Sequence, residues 1–198
     1  SRITWNEYEL VQPTSTVPYR REISWSVLDE KANRCANLLL NRGIKAGQKV
    51  GILLMNCLEW LPIYFGILKC GAIAVPLNFR YTSNEIDYCV KLADIDVLFF
   101  GPEFIGRMEA IANDLSKETI LFYVGSPAPS FAEDYFHWVA NFSSIAPNIE
   151  LKDEDNAAIY FSSGTTGFPK AILLNHKALM QSAEMEAIHH ETTHDDVF

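Results

Sequence analysis

Between Tyr160 and Lys170 the chain reads Tyr160-Phe161-Ser162-Ser163-Gly164-Thr165-Thr166-Gly167-Phe168-Pro169-Lys170. Aromatic residues give way to hydroxyls and glycines, and the run closes on a single lysine. Those residue types in that order suit phosphate. Gly164 and Gly167 let the backbone turn tightly and approach a ligand. The hydroxyls of Ser162, Ser163, Thr165 and Thr166 and the backbone N–H groups donate hydrogen bonds, and Lys170 adds a full positive charge. The spacing is not that of the nucleotide-binding loop G-x-x-x-x-G-K-[ST]. Counted from Gly164, the second glycine falls on Pro169 and the hydroxyl position on Ala171, so the magnesium-binding hydroxyl of that motif is missing. A plain Ser/Gly/Thr turn is the bland reading of the same composition.

Three other stretches carry chemical residue types. His190-Glu191-Thr192-Thr193-His194 matches H-E-x-x-H, which on a helix sets two imidazoles one turn apart on zinc with the glutamate as base. The paired threonines weaken a helix there and Asp195-Asp196 ends it, so an exposed polar helix end is the favoured reading. Gly101-Pro102-Glu103-Phe104-Ile105-Gly106-Arg107 lies between a strand and a helix, as a phosphate loop does. Glu103 repels phosphate and Met108 stands in the hydroxyl position, so helix entry is its expected role. Phe131, Tyr135, Phe136, Trp138 and Phe142 can line an apolar pocket, but core packing of a short helix accounts for them as well.

The elements that position these residues follow from hydrophobic periodicity and caps. Residues 1–22, polar with Pro13 and Pro18, read as an irregular lead-in. Ser26 with Asp29 three residues on can cap a helix whose stripe is Leu28, Ala32, Cys35 and Leu39, ended by Gly43. A strand over 50–55, a helix over 59–70 and a strand over 72–75 follow. Gly71 takes the left-handed helix end, and Pro76 stops the pairing. Thr82 and Glu85 form a capping-box pattern for a helix to residue 93, then a strand over 96–100. Pro102 opens a helix over 103–115, and residues 119–124 are a further strand.

Apolar strands without polar alternation, separated by helices, require a parallel sheet covered on both faces. The expected fold is therefore α/β, a doubly wound, mostly parallel sheet with helices on both faces, its first layer at 23–125. Residues 126–156, with Pro127, Pro129, Pro147 and the acidic Asp153-Glu154-Asp155, read as a connection holding one short helix near 131–141. A second layer is expected over 157–198: strand 157–162, the glycine loop, strand 171–174, and a helix from His176.

Composition narrows the function classes. The chain has 198 residues, enough for one large domain or two small ones, and 48% hydrophobic content excludes disorder. A net charge of −9 and a pI near 5.0 argue against a nucleic-acid or acidic-membrane partner, with Lys170 a local exception. Cys35, Cys57, Cys70 and Cys89 show no C-x-x-C spacing and read as reduced thiols of a cytoplasmic protein. The longest apolar candidate for a span, 60–68, is half the required length and contains Pro62, so no membrane span is expected.

The run Ser163-Gly164-Thr165-Thr166-Gly167-Phe168-Pro169-Lys170 resembles the signature of the adenylate-forming superfamily of AMP-binding enzymes, which holds acyl-CoA synthetases, peptide-synthetase adenylation domains and luciferases. Ala171 departs from the glycine usual there, a methyl that an extended backbone tolerates. Leu68-Lys69-Cys70-Gly71-Ala72-Ile73-Ala74-Val75-Pro76-Leu77-Asn78 is similar to the family's helix-to-strand junction. The continuation Asn78-Phe79-Arg80-Tyr81-Thr82-Ser83-Asn84-Glu85-Ile86 resembles acyl-CoA synthetases in particular, since peptide-synthetase domains carry an aspartate and then Tyr-Pro here.

The resemblance, which runs over 23–198, implies the front part of an AMP-forming carboxylate–CoA ligase. ATP and a carboxylic acid give acyl-AMP and pyrophosphate, and CoA then gives the thioester. Ser162, Ser163, Gly164, Thr165, Thr166, Gly167, Phe168, Pro169 and Lys170 are the implied ATP-binding residues, with Mg2+ a cofactor of the full-length enzyme. The family's adenine segment, Thr-Glu pair, ribose aspartate and catalytic lysine follow later in its members, so no catalytic residue is expected within 1–198. A fragment inactive alone and prone to self-association is the expectation. A non-catalytic nucleotide- or partner-binding module and a zinc hydrolase through His190 and His194 are the competing classes.

Overall fold

The computed structural model describes residues 2–6, 20–115, 119–162, 169–193 and 196. Strands β1 (Arg2–Asn6) and β2 (Arg20–Ser24) pair antiparallel, Arg2 opposite Ser24. The lead-in expected to be irregular thus contains a two-stranded sheet. Its strands carry the β-favouring types Ile3, Thr4, Trp5 and Ile23, while both prolines fall between them in sequence.

Helix α1 (Trp25–Asn41) is capped by Ser24, whose hydroxyl accepts from the Val27 N–H at 3.2 Å. Ser26, expected as the cap, sits inside the first turn with its hydroxyl 2.9 Å from that of Ser24. Ser24 has the extended backbone a cap needs. The stripe Leu28, Ala32, Cys35 and Leu39 is buried as the period demands. There follow β3 (Lys49–Leu53), α2 (Trp60–Lys69) and β4 (Ile73–Pro76), with Gly71 at φ +79° turning the chain from helix to strand. The capping box is complete at α3 (Ser83–Ala93): the Thr82 N–H donates to Glu85 Oε2 at 2.8 Å, and the Glu85 N–H to Thr82 Oγ1.

After β5 (Ile95–Phe100), Pro102 opens a 3₁₀ turn, and α4 (Ile105–Glu109) is much shorter than the helix expected over 103–115. Gly106 and the Asn113-Asp114 pair are poor helix formers, and residues 110–114 run on as turns. Strands β6 (Ile120–Tyr123) and β7 (Glu133–Asp134) precede α5 (Tyr135–Val139), the short helix of the connection. The described chain ends with β8 (Asn156–Ser162), β9 (Lys170–Asn175) and α6 (His176–His189).

Seven strands form one sheet in the order β7-β6-β5-β3-β4-β8-β9, parallel throughout except for the antiparallel β8–β9 pair. Strands β8 and β9, expected in a second layer, belong to this same sheet. The buried Ala157, Ala158 and Ile159 fit the apolar environment beside β4, and Ala158 pairs with Ala74. Successive strand residues point to opposite faces and build two cores. On one, Val50, Ile52, Phe99 and Phe122 meet Leu39 of α1 and Ile63 and Ile67 of α2. On the other, Leu53, Val75, Leu98 and Phe100 meet Ile86 and Val90 of α3 and Met108 of α4. Each fully buried side chain of this size contributes about 1.5–3 kcal/mol.

Side chains of α1 tie the connection to the first helix layer. Asn33 donates to the Ser144 carbonyl at 2.9 Å, Asn37 to those of Ser143 and Ile145 at 2.8 and 2.9 Å, and Arg34 to that of Phe142. Arg42 pairs with Glu133 and lies 4.2 Å from the Trp138 ring centre. All four cysteines are free thiols. Burial pushes Cys57 and Cys70 up to about 11 and Cys89 up to about 12.

Helices α1 and α2 touch at Gly66, where a Cβ would stand 2.7 Å from Cys35 Cβ and 2.8 Å from the Ala32 carbonyl oxygen. Gly66→Ala gains about 1 kcal/mol of helix propensity, but overpacking against a backbone atom costs about 1–3 kcal/mol. The expected outcome is a net loss of about 0–2 kcal/mol in urea unfolding; a variant more stable than the wild type would show that the two helices can part freely.

Candidate functional site

Because the strands β3, β4 and β8 run parallel, they end at one edge of the sheet, the edge where open α/β folds bind ligands. A cleft of about 330 Å³ opens there between Leu54, Trp60, Leu77, Phe79, Tyr81, Tyr160 and Phe161, with the amides of Asn56 and Asn78 at its rim.

The glycine loop springs from this edge. Ser162, the last residue of β8, lies opposite Lys170, the first of β9, and Phe161 lies opposite Ala171. These pairs form the stem of a hairpin. Residues 163–168, two-thirds of the sequence-predicted ATP-binding run, lie outside the described residues. Of the other three, Pro169 is buried, Ser162 is half-buried and Lys170 is exposed. Ala171 stands in an extended strand, the backbone state in which its extra methyl is tolerated.

Alternation along β8 sends neighbouring side chains to opposite faces. Phe161 packs with the α3 and α4 core. Tyr160 turns toward α2, where its hydroxyl is 3.0 Å from that of Tyr64. Tyr64 is buried, and its ring stacks on Trp60 one helical turn earlier, with centroids 5.4 Å apart and planes 14° from parallel. Burial first, and then the bond to Tyr160, holds the Tyr64 phenol far above its usual range, so it stays a neutral hydroxyl.

The opposite wall is built from the turn at 78–81. Asn78 Oδ1 accepts from the Arg80 N–H at 2.9 Å, and the Tyr81 N–H donates to the Asn78 carbonyl at 3.0 Å. Arg107 then donates to the carbonyls of Phe79 and Tyr81 at 2.6 and 3.0 Å, with its guanidinium 5.3 Å from the Phe104 ring centre. This is the role of the Gly101–Arg107 stretch: helix entry, followed by an arginine that fixes a wall of the cleft. Nothing in the sequence marked Arg107 for it, since its partners are backbone carbonyls that any residue supplies.

The other candidates do not join the site. The aromatic residues of the connection divide between faces: Phe131 stacks on Phe100 at 5.9 Å, while Tyr135 is buried in the α1–α2 core and Phe136 and Trp138 are exposed. The H-E-x-x-H stretch lacks its helix at the start, because α6 ends at His189 and Glu191 turns the chain with φ +50°. His190 pairs instead with Glu186 at 3.2 Å, and His194 lies outside the described residues. No three His, Cys, Asp or Glu side chains gather to hold a metal among the described residues. Nor is any described helix long and apolar enough to cross a membrane.

Comparison with known proteins agrees with this arrangement. A long-chain-fatty-acid–CoA ligase of Mycobacterium tuberculosis is 29% identical over 174 residues, 87% of this chain and 33% of that protein. A 3-hydroxybenzoate–CoA/4-hydroxybenzoate–CoA ligase of Thauera aromatica is 29% identical over 178 residues, 89% of this chain and 34% of that protein. Among solved structures, the anthranilate CoA ligase AuaEII in complex with anthranoyl-AMP superposes with a TM-score of 0.81 at 28% identity, covering 85% of this chain and 32% of that one. ATP-bound MatB from Rhodopseudomonas palustris gives 0.74 at 28% identity, covering 89% and 34%. The chain spans about a third of the length of these relatives. Residues 9–198, the glycine loop and the cleft beside it included, match the family described as AMP-binding enzyme, and the chain belongs to that family.

Proposed function

We propose that these residues form the ATP-handling front part of a carboxylate–CoA ligase. The observation that carries the reading is the hairpin stem: Ser162 and Lys170 face each other at the carboxyl edge of a parallel sheet, beside an aromatic cleft, and bracket a run of hydroxyls and glycines. In the proposed reaction a carboxylate oxygen attacks the α-phosphorus of ATP and the bond to the β-phosphate breaks, giving acyl-AMP and pyrophosphate. The CoA sulfur then displaces AMP from the acyl carbon and its proton is lost.

Ser162 to Lys170 hold the β- and γ-phosphates in this scheme. Hydroxyl and backbone N–H donors bind the departing pyrophosphate, and Lys170 offsets its growing charge; such preorganised groups are worth about 10²–10³ in rate for a single strong donor. The substrate class is a carboxylic acid, and the relatives, named for long-chain fatty acids and for hydroxybenzoates, do not narrow it.

Because positioning several groups at once supplies most of the rate in such chemistry, the 198-residue chain alone is expected to form no acyl-adenylate. Pyrophosphate exchange clearly above a no-protein blank, with any carboxylate, overturns this. In a ligase carrying these residues, Lys170→Ala should slow adenylation by about 10²-fold and leave thioester formation from supplied acyl-AMP within about twofold, because the second step has no pyrophosphate to hold. Equal loss in both half-reactions would make the lysine structural.

Self-association is the further expectation for the chain alone. Strand β9 closes the sheet with no outer partner among the described residues, Ile172 and Leu173 on it are half exposed, and α6 presents Met180, Met185 and Ile188 to solvent. An open edge beside apolar surface favours pairing with a second copy. Light scattering should report a dimer or larger at tens of micromolar, and a clean monomer would reject it.

A further inference from the structure

The hairpin that carries the glycine loop joins the rest of the sheet through one strand, β8. Strand β8 pairs with β4 at a single register position, Ala74 with Ala158, and its other neighbour is β9, which is itself the sheet edge. In that register Pro76, the end of β4, stands level with Tyr160, so Phe161 and Ser162 extend past it to support the loop. A specific polar contact reaches this end of the strand from α2: the 3.0 Å bond between the hydroxyls of Tyr160 and Tyr64, 96 residues apart in sequence.

Tyr64 is suited to be the fixed partner. It is buried, stacked on Trp60, and carried on α2 two residues before Gly66, where α2 is pressed against α1. Tyr160 is the less buried partner, half-buried, lining the cleft and two residues before Ser162. A phenol offers its hydroxyl at the end of a rigid ring, so the bond fixes both the height and the lean of the strand end over the sheet. We propose that Tyr64 is a positioning residue, which through the Tyr160 hydroxyl sets where the Ser162–Lys170 stem stands and so how those two residues meet the phosphates. The proposal rests on the phosphate reading for what the loop holds, but the tie itself does not.

Two measurements on the 198-residue chain separate those parts. Amide hydrogen exchange reads the tie without a ligand. Losing one hydrogen bond worth about 0.5–1.5 kcal/mol raises local opening about 2- to 12-fold. Tyr64→Phe should do so at residues 160–162 and 170–172 while leaving the amides of Ile52 and Phe99 in the core unchanged. Tyr160→Phe, which removes the hydroxyl at the less buried side, should give the same pattern, and the double variant should be no worse than either single one. Unchanged exchange in the hairpin, a rise shared by the core amides in both single variants, or additive effects in the double variant overturns the proposal.

Titration with inorganic pyrophosphate then reads what the loop holds. Tyr64→Phe should weaken binding by a factor similar to its exchange effect, and Lys170→Ala should weaken it at least 10-fold with exchange in the hairpin unaltered. If Lys170→Ala binds as the wild type does, the phosphate reading fails and the tie is judged on exchange alone. If Lys170→Ala loses binding while Tyr64→Phe keeps it, the phosphate reading stands and the positioning role falls.

Discussion

The close approach of α1 and α2 at Gly66 is the constraint on which the arrangement of the site depends. With no side chain at that point, the Ala32 carbonyl and Cys35 fill the space a Cβ would take, and the two helices lie against the sheet as one layer. That contact fixes how far α2 can lean over β3 and β4. The other end of α2 carries Trp60 and Tyr64 to the carboxyl edge, where one lines the cleft and the other meets Tyr160. A contact made in the core to satisfy packing thus determines where an aromatic pair stands at the functional edge. Interiors packed to crystal density transmit such displacements rather than absorbing them.

The opposite layer does the corresponding work for the second wall. Helix α3 begins at a complete capping box, which fixes the chain at Thr82, and the turn at 78–81 immediately before it is held by Arg107 of α4. Both walls of the cleft are therefore tied to helices rather than left as free loops, and each tie crosses from one βα unit to another. A site built from loops on rigid elements in this way keeps its geometry while its lining varies.

What could be read in the sequence, and what could not, divides along the range of the interactions. Thr82 with Glu85, Gly71 before its strand, and the stripe Leu28, Ala32, Cys35 and Leu39 are local patterns whose physics is complete within a few residues, and each stands where the pattern put it. The extended backbone at Ala171 likewise follows from a short strand signal. The displaced cap at Ser24 is a near miss within a Ser-Trp-Ser run in which two hydroxyls compete for one turn. By contrast, the hold of Asn33, Arg34 and Asn37 on the connection spans 106 to 111 residues and ends on backbone carbonyls. Arg107 and the pairing of β8 with β4 are of the same kind. Carbonyls carry no sequence signature, and a strand's neighbour is set by tertiary packing, so no reading of residue types at fixed spacing can find them.

The hairpin setting of the glycine loop also changes what its residues must supply. Phosphate sites at the end of a strand commonly draw on the helix that follows, whose N-terminal N–H groups and dipole attract the anion. Here the loop leads into β9, and α6 begins only after it. Six extended residues at about 3.4 Å each put that helix start roughly 20 Å from the stem. A helix dipole acts within about one turn of its end, so it contributes nothing at that distance. The chain's net charge of −9 opposes an anion as well. On the proposed reading, the attraction must then come from Lys170, the hydroxyls and the loop's own N–H groups, all of them short-range donors whose strength depends steeply on distance and angle. A loop that binds through such donors gains more from a fixed stem than one that binds through a long-range field. The Tyr64–Tyr160 bond has its value in that difference.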